Sequence, residues 1–287
     1  MKHSDYPALY QSASDLSEKS QSAFFWTFLS HMALLAIASA ISVLNSPCPE
    51  VAILQALILI GALGCAIYLF LVRPERQWYS GRAVAESIKT STWRYVTRAE
   101  PFNNSDEFDR KNFRLKLKAI VEQNKEISGL LFTHLDGVQI SGAMEKLRQT
   151  TATQRLDYYR THRIVEQQNW YANKAGTNRK KVNRYFIALF LTIGVSIFFS
   201  IAKVRYPTAP YWPTDFLVTV AAALLSWIQA KRFQELSASY SLAAHEISLI
   251  RDQAATPMNE NDFSKFVGDA ENAFSREHTQ WTARRDT

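Results

Sequence analysis

Charged residues leave this chain in blocks. Between Ser20 and Pro49 there is no Asp, Glu, Lys or Arg, and the apolar part of that stretch runs from Ala23 to Leu44. After the short break NSPCPE, Val51 to Val72 is again free of charge. Each run predicts a helix of roughly 33 Å, enough to cross a hydrocarbon core. Neither carries the polar stripe at helical period that a soluble helix shows. A third run covers Tyr185 to Ala202. A fourth, Phe216 to Ala230, is shorter and reaches membrane length with Tyr211 and Trp212 at the interface and Asp215 near the headgroups. The expected spans are therefore 23–44, 51–72, 185–202 and 211–230. The fold class is an all-α membrane protein, with two transmembrane helical hairpins and long cytoplasmic helical extensions.

Between the hairpins the pattern is amphipathic. Arg76 to Arg98 reads as an inward continuation of the second span past Pro74, followed by a loop with Pro101, Phe102 and the cluster NNSDEFD. Lys111 to Lys125 predicts a helix, and Leu130 to Ile140 is ambiguous around Asp136-Gly137. Ala143 to Asn173 predicts one long helix leading to the third span, with an interruption near Gly176. After the fourth span, Phe233, Leu236, Tyr240, Ala243, Ile247 and Ile250 form a heptad seam. Asn261 or Asp262 is the expected cap of a last helix, with Phe263, Phe266, Val267, Ala270, Phe274 and Trp281 on one side.

Composition alone suggests something else. The 287 residues are 47% hydrophobic with a net charge of +7, and the mean hydropathy is −0.17, averages that would suit a soluble basic protein. The distribution corrects that. Residues 73–184 hold 22 Lys and Arg against 12 Asp and Glu, a net of +10, so the remainder sums to −3. Basic residues flank the spans at Arg73, Arg76 and Arg82, at Arg179 to Arg184, and at Lys231 and Arg232. The turn from Asn45 to Glu50 has none, while Lys203 and Arg205 are a mild counter-signal. The balance predicts both termini and the long middle segment in the cytoplasm. Residues 1–22 carry Asp5, Asp15 and Glu18 and are too long and acidic to begin a signal peptide. The dispersed basic residues fit attraction to an anionic lipid bilayer better than nucleic acid. Cys48 and Cys65 lie about 25 Å apart along a helix, too far to bridge within the chain.

Motifs for an enzyme are missing: no GxGxxG, P-loop, HExxH or GxSxG, and no His/Cys spacing for zinc. The expectation is a chain that is no enzyme and needs no cofactor. Polar residues within the spans matter more. His31 and Gln55 are candidate pore-lining groups; His31 reads either as a proton-sensitive element or as a neutral imidazole bonded to a neighbouring helix. Gly61 and Cys65, beside Ala62 and Ala66, predict close packing on Ala33, Ala36 and Ala40. The arms carry two stripes, Arg82, Glu86, Lys89 and Trp93 in the first, and Tyr159, Arg163, Gln167, Trp170, Tyr171 and Lys174 in the second. Ion pairs and aromatics at this spacing lock helices in register.

The pattern R-x3-E-x2-K-x3-W followed by Pro101-Phe102 resembles the SLATT family, the two-transmembrane effector domains associated with nucleotide-second-messenger and SLOG sensor genes in bacterial conflict systems. The second half agrees, with Ile140 to Met144, then YYRTHRIVEQQNWYANKA from Tyr158, and later SASYSLAAHEI and FVGDAENAFSREHTQW. The resemblance implies two such units in tandem, 23–139 and 140–287. It also implies an effector of the cell inner membrane that forms a homo-oligomer and opens a pore or perturbs the bilayer when a linked system senses infection. No sensor domain is visible, so the trigger would come from a separate sensor protein or from the arms. A non-toxic scaffold recruiting a cytosolic partner and a housekeeping ion channel are the alternatives.

Overall fold

The computed structural model describes the backbone of residues 1–254, 256 and 258–283, with side chains described through residue 275 except 255 and 257. The Trp281 side chain, expected on the last apolar face, lies outside the described residues. A short 3₁₀ turn (His3–Asp5) precedes α1 (Ala8–Val43), α2 (Pro49–Val72), α3 (Pro74–Val96), α4 (Asp106–Gln123), α5 (Lys125–Ser128), α6 (Gly142–Arg148) and α7 (Ala152–Tyr159). A π-helical turn (Arg160–Val165) leads into α8 (Glu166–Arg205), then α9 (Thr214–Lys231), α10 (Phe233–Gln253) and α11 (Glu260–Ala283). Regular structure among the described residues is entirely helical. Four helices are long and apolar enough to cross a membrane, and the chain is an all-α membrane protein.

The chain divides into two units. The polar unit comprises 1–21, 74–172 and 240–287, and the span unit 22–73 and 173–239. Its second and fourth helices end alike. Arg73 and Arg232 both adopt the left-handed region at φ 49° and stop α2 and α9. At the first break the following Pro74 disfavours helical geometry for Arg73 and starts α3 in the position proline tolerates best. The expected unbroken continuation past Pro74 is thus a cap and a new start.

In the polar unit α1 begins fifteen residues before the first apolar run, at Ala8 rather than Ala23. Small residues allow this: Ala8, Ser12, Ala13, Ser17 and Ser20 are all buried. A Cβ on Gly81 would stand 3.1 Å from Ser17 N and 3.2 Å from Ala13 O, so only glycine lets α3 come this close to α1. The core gathers Ile88, Trp93 and Tyr95 of α3 with Phe102, Phe113, Met144, Tyr159, Ile164, Phe263 and Val267.

Local chemistry changes several expected boundaries. α4 starts at Asp106, not Lys111, because Asp106, Glu107 and Asp109 fill a first turn that favours anions. Residues 130–140 form turns and bends. The single helix expected from Ala143 to Asn173 is broken at 149–151. There the Thr151 hydroxyl accepts from Gln154 N–H while the Gln154 side chain accepts from Thr151 N–H, a capping box that starts α7. Gly176 does not interrupt α8; a mid-helix glycine costs only about 1 kcal/mol. The cap of α11 is Asn259, whose Oδ1 accepts from Asp262 N–H at 2.9 Å, rather than Asn261 or Asp262.

The heptad seam of α10 is buried where it meets α8. In the span unit Phe233 stacks on Tyr185 at 5.4 Å between centroids, and the Ser237 hydroxyl donates to Ala175 O. In the polar unit Tyr240 meets Trp170 and Tyr171 at 5.4 and 5.5 Å. Ile247 is also buried, whereas Leu242 and Leu249, off the seam, are exposed.

Candidate functional site

Within the span unit, polar side chains satisfy neighbouring backbone. The His31 ring nitrogen Nδ1 lies 2.9 Å from Ala62 O, a geometry in which a protonated Nδ1 donates to the carbonyl. Gln55 Nε2 donates to Ala38 O at 3.1 Å. Thr219 donates to Asp215 O and lies 3.1 Å from the Ser39 hydroxyl. The close seam differs from the expected one. Ala38 and Ala62 are buried, with His31 on Ala62 and Gln55 on Ala38, and the space beside Gly61 meets Leu34. Ala33 faces outward. The seam thus keeps Ala62 of the expected patch but meets it with His31, and Gly61 with Leu34, rather than with Ala33. Outward-facing Ile53, Leu57, Ile60, Leu63, Phe70 and Leu71 suit contact with lipid tails.

The polar unit brings the two arm stripes together. Lys89, Trp93, Arg163 and Gln167 share a cavity of about 200 Å³ with Tyr6 and Tyr10. Glu86 faces Lys89 at 3.9 Å. Burial pulls the Lys89 ammonium below its usual range, with Glu86 opposing, and burial pushes the Tyr10 hydroxyl up to about 12. Trp93, 1% exposed, meets Tyr159 edge-on at 5.6 Å. Arg82 continues the α3 stripe on a half-buried face. Further along α8, Tyr171 is buried, Trp170 is partly exposed against Tyr240, and Lys174 is exposed.

The strongest electrostatics lie one layer deeper. Arg163 grips Glu271 through Nε and Nη2, both at 2.8 Å, and the Tyr159 hydroxyl donates to the same carboxylate at 2.9 Å. The side chains of Arg163 and Glu271 are 2% and 0% exposed, and Phe274 lies under the guanidinium at 4.8 Å. Burial opposes the charge on Arg163, but Glu271 outweighs it and raises the guanidinium above its usual value. A second buried arginine, Arg148, meets Asp109 at 2.6 Å and Asp106 at 2.9 Å, donates to Tyr95 O and Phe102 O, and covers the Tyr95 ring. These contacts tie α3, α4 and α6 together. Arg94 of α3 donates to Gly268 O and Asn272 Oδ1 of α11.

Glu271 is the residue that the stripes alone do not single out, although its signal is in the sequence. It falls between Val267 and Phe274 on the apolar side of α11, where a carboxylate must find a buried cation. Arg148 has no such signal, because its partner Asp109 lies 39 residues away.

A third carboxylate gives a pH test. Glu145 accepts from Arg110 Nε and Nη2 at 3.0 and 2.8 Å and from the Tyr95 hydroxyl at 2.7 Å. Arg110's hydrogen bonds, against partial burial, hold the Glu145 carboxyl below its usual 4.5. Since the folded value is the lower one, this contribution is present above the unfolded pKa and lost as pH falls through the folded one. Thermal melts are expected to lose stability below about pH 4.5, and Glu145→Gln to remove part of that acid-side slope.

Four apolar helices arranged as two hairpins, with a polar helical unit held by buried arginine–carboxylate pairs, define a tandem two-transmembrane membrane protein. Residues 7–156 match the model of SMODS and SLOG-associating 2TM effector domain 3, and residues 159–281 that of domain 1 of the same series. The chain belongs to the SLATT family, as two units in tandem. No curated protein and no solved structure matches it. The two matches meet at the end of α7, so Trp93 and Tyr159, in contact in the polar unit, come from opposite halves.

Proposed function

We propose that this chain is a bacterial inner-membrane effector that oligomerises and opens a pore, or otherwise perturbs the bilayer, within a nucleotide-linked conflict system. SLATT effector domains are associated with conflict and defence systems. The observation that supports the reading most is the composition of the polar unit. Its α3 comes from the first family match and its Arg163 and α11 from the second, and these pack into one core. In this reading that unit is cytoplasmic, with both termini inside. The basic residues of segment 73–184 attract anionic inner-leaflet lipids, and the packing of the polar unit holds the spans closed. α1, α8 and α10 each begin in one unit and end in the other, so a changed packing of the arms has a continuous helical route to the spans. A separate sensor protein or signal would bias that packing, and the chemistry is mechanical and electrostatic rather than enzymatic.

Induced expression in bacteria is expected to depolarise the cells, and charge reversal at Glu86 or Arg163 to change the toxicity. A potential-sensitive dye reports the first and growth curves the second. A stable cytosolic partner with no conductance would favour the scaffold reading. Ion-selective conductance with tolerated overexpression would favour a housekeeping channel.

A further inference from the structure

Two arginines of the polar unit, the buried Arg163 and the partly exposed Arg110, grip a carboxylate by the same edge of the guanidinium. Arg163 gives Nε and Nη2 to the two oxygens of Glu271, and Arg110 gives the same pair of nitrogens to Glu145. Arg155 differs. Its side chain is 4% exposed and Nη2 pairs with Glu260, while Nη1 donates to Thr150 O and Arg148 O. Its Nε is buried with no partner. The side-on fork is half filled.

That fork lines a polar cavity of about 420 Å³, within the size range of small-molecule sites. One wall is Arg98 and Asn103 after α3, another the turn carrying Arg148, Thr150 and Thr151, and the third Glu260, Asn261 and Ser264 at the start of α11. Behind it, Asp106 neutralises Arg98 and Arg148 jointly, and Asp109 completes Arg148. Those cations keep their partners. Arg155 is the one whose counter-ion is exchangeable: the guanidinium is fixed and buried, whereas the Glu260 side chain is 52% exposed and sits on the first residue of a helix. Burial lowers the charge affinity of Arg155 below the usual arginine value, with Glu260 opposing and Arg98 and Arg148 adding to the depression.

Here the Glu260 carboxylate takes only Nη2 and leaves Nε open. A phosphate group offers oxygens at the spacing of the Nε and Nη2 edge, and arginine recognises it side-on. The hydroxyls of Thr151 and Ser264 and the amides of Asn103 and Asn261 are polar groups suited to the remaining oxygens or to an attached organic part. We propose that this cavity binds the phosphate group of a small anionic ligand, which takes the Nε and Nη2 edge of Arg155 in exchange for Glu260. The proposal stands independently of whether the spans conduct.

The test is calorimetric titration of the full chain in zwitterionic nanodiscs with inorganic pyrophosphate, repeated in discs containing phosphatidic acid. Saturable binding is expected. Glu260→Gln, which removes the competing charge from a half-exposed position, is expected to tighten it about tenfold, and Arg155→Lys to weaken it about tenfold. Competition by phosphatidic acid would support the phosphate assignment with a lipid headgroup as its source, and an unchanged titration would support it with a soluble source. Absence of saturable binding in both wild type and Glu260→Gln, or affinity that neither substitution moves, would overturn the proposal. Circular dichroism of each variant reports that the helices are retained.

Discussion

Glu271→Ala is expected to destabilise the polar unit by about 3–5 kcal/mol, the cost of leaving a buried charge without its partner. Arg163 would keep a guanidinium that is almost wholly inaccessible to water, with two nitrogens and the Tyr159 hydroxyl deprived of their acceptor. The loss falls where α11 meets the second arm, so it acts on the contact between the C-terminal helix and the rest of the core. Denaturant unfolding of the detergent-solubilised chain, followed by tryptophan fluorescence, measures it, since Trp93 lies against Tyr159. The double change Arg163→Met with Glu271→Leu is expected to recover most of the loss, because an apolar pair of similar volume has no desolvation penalty. A single-variant loss below about 1 kcal/mol would place the pair among exposed bridges instead.

Arg148→Met is the second large effect, also about 3–5 kcal/mol. Here the cation satisfies two carboxylates and two carbonyls converging from α3, the following loop and α4. Arg148→Lys is expected to rescue little, since one ammonium on a flexible stem cannot meet acceptors arranged around a planar fork. The same fluorescence-monitored unfolding applies. Equal stability of the lysine variant and the wild type would contradict the geometric argument.

How much of this was legible beforehand depends on the distance over which each interaction acts. Three of the spans were readable because a run of 18 to 22 uncharged residues has few ways to satisfy its backbone other than a membrane helix, and the shorter fourth run because Tyr211 and Trp212 extend it to the interface. The α10 seam was readable because heptad spacing is local, and it appears as buried Phe233, Tyr240 and Ile247. The capping box at Thr151 and Gln154 was also local, yet the amphipathic pattern running through it gave the impression of one helix. Arg232 carries no glycine or proline signal, so the break after α9 could not be foreseen, whereas Pro74 marked its counterpart. The arm stripes placed Trp93, Tyr159 and Arg163 as packing residues. Glu271 and Arg148 act through partners 108 and 39 residues away in sequence, and only the folded core shows what they do. In the spans, His31 and Gln55 each reach a carbonyl of the facing helix, contacts that side-chain size alone does not encode.

The pH dependence of the Glu145 cluster and the exchange of Glu260 at Arg155 probe separate parts of the same unit. Neither requires the spans to move, so both can hold while the effector reading fails. The coupling between units is a distinct claim. It is tested most directly by recording membrane potential in bacteria during induced expression of the wild type, of Arg163→Glu, and of Arg163→Glu combined with Glu271→Arg. The account predicts depolarisation by the wild type, an altered onset when the single reversal breaks the buried pair, and a return toward wild-type timing in the double reversal. An intact potential in cells that have stopped growing would contradict it.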